Sequence, residues 1–156
     1  MLPIKKSLVV SSLILLAALS TQLYANQLQE NKGFNEKSQA QEGTLKGVMQ
    51  GLLKNTQGLT AALLTEDFAN LEKFAKKIAD HPKVGMATRM KLMQAMGTEM
   101  AKFKANDDVV HNAAVNMIKN AQQKDIKALG ENFQVMIGGC IACHGEFKAK
   151  VSAILK

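Results

Sequence analysis

Apolar side chains return every three or four positions along most of this chain, with polar ones between, and that step belongs to helices. Leu45, Met49, Leu52, Thr56, Leu59 and Leu63 form a one-sided seam that predicts a helix over residues 44–64. Thr65, followed by Glu66 and Asp67, reads as a cap with first-turn acids that opens a second helix. Its inner face is Phe68, Leu71, Ala75 and Ile78. His81-Pro82 ends it, because the residue before a proline avoids the helical region. In a third stretch Met86, Met90, Met93, Gly97 and Met100 step by four and three, as a core stripe does, with Phe103 after them. Asn106, Asp107 and Asp108 offer a new cap, and Val110, Ala114, Met117 and Ala121 carry the stripe on to about Gln122. The pattern leaves open whether this stretch is one bent helix or two. The last helix runs from about Asp125 to near the end, with Leu129, Phe133, Met136, Cys140, Cys143, Phe147 and Ile154 on its core side. No segment alternates with a period of two. The expected class is all-α.

The first 43 residues differ. Lys5 and Lys6 precede an apolar run over residues 8–19, and Leu23-Tyr24-Ala25 offers a small-residue cleavage site. This is the pattern of a secretory signal peptide over residues 1–25, with cleavage after Ser20 as the alternative to Ala25. The apolar run is short for a membrane span, so an uncleaved anchor is the weaker reading and stable membrane insertion is not expected. Residues 26–43 are rich in Gln, Asn, Glu and Lys and read as a polar leader with Phe34 as its only large apolar residue. Residues 44–156 form the folded domain. An export signal points to the periplasm.

Charge narrows the function classes. The 156 residues carry a formal +7, which falls to +5 once Lys5 and Lys6 are removed. The remaining lysines are scattered over helical surfaces with no basic tract and few aromatics, so nucleic-acid binding has no positive case. Nor does the order of residues offer a Ser-His-Asp or paired-carboxylate arrangement, so the chain is not read as an enzyme.

The decisive chemistry is Cys140-Ile141-Ala142-Cys143-His144. C-x-x-C-H is the attachment signature of c-type haem: two thiols add to the two vinyl groups and the adjacent imidazole binds the iron. On a helix, Cys140, Cys143 and His144 fall at about 0°, 300° and 40°, one narrow face. A plain dithiol or disulfide followed by a chance histidine is the competing reading. A metal site built on these thiols would lack further cysteine ligands, for there are only two in the chain. An exported C-x-x-C-H suits an oxidising compartment. The cysteines replace core residues in the last seam, so one haem c is expected inside the bundle. Gly138 and Gly139 precede them. Each weakens the helix by about 1 kcal/mol relative to alanine, either for the close approach of a neighbour or as a tolerated weak turn.

With its export signal, four helical stripes, and Cys140, Cys143 and His144 followed by Phe147-Lys148 in the last helix, the chain resembles the class II c-type cytochromes over about residues 40–152. These are the cytochrome c-prime family and its low-spin, methionine-ligated relatives. The resemblance implies an antiparallel four-helix bundle with haem covalently bound on the C-terminal helix. The family commonly has arginine where this chain has Lys148, which weakens the case for a bidentate contact to a haem propionate. It also implies that the first helix faces the iron opposite His144, and Met49-Gln50-Gly51-Leu52-Leu53-Lys54-Asn55 is similar to its ligand-bearing segment. Met49 as second iron ligand would give a closed, single-electron carrier, since a thioether raises the potential. Met49 as core filler would leave a five-coordinate haem that binds small gases such as NO or CO.

Redox partner proteins are implied but not identified. Antiparallel homodimers are common in the family, though the outer faces of the first two helices show no clear apolar patch. Met86, Met90, Met93, Met96 and Met100 also allow a cuprous-ion reading, against which stands their core-like step. His81 is expected in an exposed turn, and His111 to be satisfied by packing or a surface hydrogen bond rather than by iron.

Overall fold

The computed structural model describes residues 43–155; the expected signal peptide and residues 26–42 of the leader lie outside them. The described residues contain helices and no strands: α1 (Leu45–Leu64), α2 (Phe68–Ala79), α3 (Met86–Met96), a single 3-10 turn (Gly97–Glu99), α4 (Met100–Gln122) and α5 (Ile126–Ile154). Helices α1, α2, α4 and α5 make the antiparallel four-helix bundle. Cross-contacts fix the directions. Glu72 lies beside Gln122 and Ala79 beside His111, so α2 and α4 run oppositely; Phe103 meets Phe147 and Asn116 meets Asn132, so α4 and α5 do too.

Two corners close one end of the bundle, and they are built alike. At the first, the Glu66 N–H donates to Leu63 and the Asp67 N–H to Ala62; at the second, the Lys124 N–H donates to Ala121 and the Asp125 N–H to Asn120. This is the Schellman closure, with Glu66 (φ 51°) and Lys124 (φ 55°) in the left-handed position that glycine usually fills. The next residue caps the following helix: the Asp67 carboxylate accepts from the Asn70 N–H, and that of Asp125 from the Ala128 N–H. Thr65 therefore ends α1 rather than opening α2, and its hydroxyl donates back to the Ala61 carbonyl at 3.0 Å.

The third stretch answers the question left open by its pattern and corrects two expectations, the cap at 106–108 and the methionine core stripe. It is two helices, parted at Gly97, whose φ of 52° and ψ of −123° suit a residue without a Cβ. Asn106, Asp107 and Asp108 cap nothing, because α4 runs straight through them. Asp107 lies 3.7 Å from His81, and Asp108 takes the Lys104 ammonium one turn back at 2.6 Å, so both carboxylates find partners without ending the helix. The methionine stripe also fails. Met86, Met90 and Met93 are 71%, 58% and 49% exposed, while Leu92 and Met96, on another face of α3, are buried.

Close packing concentrates in the half of the bundle next to the corners. Leu59, Leu71, Ala75, Ile78, Ala114, Met117, Leu129 and Met136 are buried there, each large one contributing about 1.5–3 kcal/mol by leaving water. The alanines let the helix axes come close. In the other half α2 has already ended: its 12 residues span about 18 Å, against about 43 Å for the 29 of α5. There the walls are the start of α1, the first half of α4, α3, and the part of α5 that carries the cysteines.

Candidate haem site

Cys140, Cys143 and His144 all lie in the middle of α5, within one uninterrupted helix. The cysteines are half-buried and free, with no disulfide between them; His144 is exposed, and its imidazole has no hydrogen-bond partner among the described residues. Burial pushes both thiols up, and the nearby negative charges of Asp107 and Glu146 act in the same direction on Cys143. Both therefore stay protonated at neutral pH and are poor disulfide nucleophiles. Gly139 fits against α4, where a Cβ would stand 3.0 Å from the Val110 and 3.1 Å from the Val109 side chain; around Gly138 there is open space. Phe147, one turn beyond, is buried and meets Phe103 edge to face at 5.5 Å. Lys148 is exposed, while Lys150 pairs with Glu99 and Lys102 with Glu146 at 2.5 Å.

Met49 is half-buried near the start of α1. Its level follows from counting rise away from the closed end. Fifteen residues separate it from Leu64, about 22 Å; fourteen separate Cys140 from Ile126, about 21 Å. The fold thus brings Met49 to the height of Cys140. His81 and His111 belong elsewhere: His81 lies beside Asp107, and His111 sits 3.1 Å from the Ala79 carbonyl through Nδ1.

Two side chains that sequence reasoning missed complete the picture. The Gln50 side-chain oxygen, next to Met49, and the Asn106 side-chain nitrogen are buried without a partner. Asn106 lies between Lys102, which pairs with Glu146, and Val109, which packs on Gly139, so it faces α5 near Cys143. The sequence offers Asn106 only as a cap and Gln50 only as a neighbour of Met49, since an isolated amide in a helix carries no motif of its own. Buried orphan amides cost about 1–3 kcal/mol each unless something answers them.

A model of the family described as Cytochrome C' matches residues 36–148. The chain belongs to that family. Its members are haem c proteins, electron carriers or gas binders, generally without enzymatic activity and typically exported. The match takes in α5 through its C-x-x-C-H run and agrees with the four-helix bundle. No curated protein and no solved structure matches the chain. Among the described residues no helix is long and apolar enough to cross a membrane, and no three His, Cys, Asp or Glu side chains are grouped to hold a metal ion. The donor set fits a haem c: two free thiols and an unengaged imidazole on one helical face, a thioether at the same height, and the orphan amide of Asn106 facing α5 near Cys143.

Proposed function

We propose that this chain is a periplasmic c-type cytochrome with one covalent haem, working as a His/Met-ligated single-electron carrier. The observation that carries it is the pairing of half-buried, disulfide-free Cys140 and Cys143 with the unengaged imidazole of His144 on one face of α5. Each thiol would add across one vinyl group: a C–S bond forms, the thiol hydrogen goes to the other vinyl carbon, and no oxidant is needed. Protonated, buried thiols suit that addition better than they suit disulfide formation. Bound there, the group supplies a reversible one-electron change at iron.

The chain's own residues set the rest. His144 would bind the iron through its imidazole. Met49, half-buried near the start of α1, would supply a second iron ligand, a soft sulfur that favours the reduced state. Two protein ligands held by separate helices would limit rearrangement on electron transfer. The Asn106 N–H stands ready for an acceptor on the bound group.

The test is spectroscopic. Intact mass should exceed the mature polypeptide by one haem that acid–acetone fails to extract; extractable haem defeats the thioethers. The purified protein should be low-spin and indifferent to carbon monoxide, and Met49→Ala should make it high-spin and CO-reactive. An unmutated protein already high-spin and CO-reactive at neutral pH would make Met49 core filler and the protein a gas binder.

A further inference from the structure

The exposed face of α3 is apolar where helical proteins are usually polar. Met86, Met90 and Met93 fall within about 60° of one another around the helix, at 71%, 58% and 49% exposure. Packing does not account for them, because α3 buries a different face through Leu92 and Met96. The charges of this stretch of chain are of one sign. From His81 to Thr98 the chain has Lys83, Arg89 and Lys91 and not one Asp or Glu. None of the three cations has an ion-pair partner among the described residues. Arg89 is the only arginine of the chain, among nineteen lysines, and it flanks the methionine stripe.

We infer that this face docks an acidic protein surface, the redox partner of the electron-carrier reading on which this inference rests. Methionine and arginine are the residue types that interfaces concentrate, the first because it adapts its shape and the second because its fork grips carboxylates. The rim of cations selects an acidic partner. It also opposes a second copy of this chain, which would bring Arg89 and Lys91 against their own kind, and it opposes a metal cation. The position suits electron exchange. Glu99, just after α3, is tied to Lys150, and Lys150 lies six residues beyond His144, about 9 Å of helical rise.

The experiment uses the full haem-bearing protein on gold coated with a mixed carboxylate- and methyl-terminated thiol monolayer. Adsorbed mass and voltammetric current are read separately, so a failure of the haem reading would appear as adsorption without current and leave the docking result intact. Arg89→Glu/Lys91→Glu should weaken adsorption roughly tenfold, and so should Met86→Gln/Met90→Gln/Met93→Gln. Lys124→Glu/Lys127→Glu makes the same charge change at the corner end and should leave adsorption within about twofold. An equal loss in that control reduces the effect to net charge and overturns the proposal. So does equally tight binding of the unmutated protein to vesicles containing phosphatidylglycerol, which would make the face a membrane contact.

Discussion

Gly138 and Gly139 are neighbours in the same helix, yet their replacement by alanine should have opposite consequences. Both sit inside α5, where a glycine weakens the helix by about 1 kcal/mol relative to alanine. At Gly138 a new Cβ meets nothing within 4 Å, so Gly138→Ala should recover most of that, about 1 kcal/mol. At Gly139 the same atom would stand 3.0 Å from one Val110 methyl and 3.1 Å from one of Val109. Those methyls must retreat a few tenths of an ångström. A helical valine has one strongly preferred rotamer, so the retreat falls on α4 itself rather than on a side-chain rotation. Overpacking of this kind costs about 1–3 kcal/mol, which cancels or exceeds the helical gain. The two variants should therefore differ by about 1–3 kcal/mol in urea unfolding of the haem-bearing protein, read as a shift in midpoint at constant slope. In melting temperature that is roughly 4 °C per kcal/mol. If Gly139→Ala is as stabilising as Gly138→Ala, the close approach of α4 is not what the glycine serves.

Other outcomes follow from single features. Glu66→Gly and Lys124→Gly should each stabilise by up to about 1 kcal/mol in chemical denaturation, since both relieve a left-handed backbone at a corner. Met117→Ala, in the closed core, should lower stability by about 2–5 kcal/mol, whereas Met93→Ala, half-exposed on α3, should stay within about 0.5 kcal/mol. The Asp107 carboxylate raises the His81 pKa, and His81 lowers that of Asp107. A raised histidine stabilises fully below its unfolded pKa and loses that as pH rises through its folded one; a lowered carboxylate stabilises above its unfolded pKa and loses that on acidification. The pair should thus be strongest between about pH 4 and 6.5. His81→Gln should cost roughly 0.2–1 kcal/mol there and less at pH 8.5, compared by urea midpoints.

The sequence was most readable where one physical cause dominates. The seam of α1 and the core side of α5 are faces that must be buried in any bundle, and Leu59, Leu129, Met136 and Phe147 lie where the spacing puts them. The C-x-x-C-H run carries its own chemistry in adjacent letters. Reading failed where a tertiary neighbour decides. A step of four and three places Met86, Met90 and Met93 on one face of a helix but does not say which face meets the core. That depends on where α3 lies, and α3 lies beside the bundle, with Leu92 and Met96 turned inward. The acids at 107 and 108 resemble a cap because caps and ion pairs use the same side chains. Only the fold shows that His81 and Lys104 are in reach. At the corners the left-handed residues are Glu66 and Lys124 instead of glycine, so the usual mark of a helix end is missing and Thr65 was credited with a cap that Asp67 makes.

The lengths of the helices explain why the chemistry sits where it does. With four long helices the bundle would be packed from end to end by side chains alone. Here α2 stops after 12 residues while α5 continues for 29. The closed half fills itself with leucine, isoleucine, methionine and alanine and, among the described residues, has no buried side-chain nitrogen or oxygen without a partner. The half beyond α2 is walled by α1, α3, α4 and α5, and every chemically distinctive group lies there: Cys140, Cys143, His144, Met49, and the orphan amides of Gln50 and Asn106. Such a division gives a rigid base that fixes the height of Met49 against the cysteines to within a helical turn. It leaves the other half free to change without dismantling the core. The same short α2 creates the need for the 80–85 connection and for α3, so the truncation that opens this half also produces the exposed methionine face beside it.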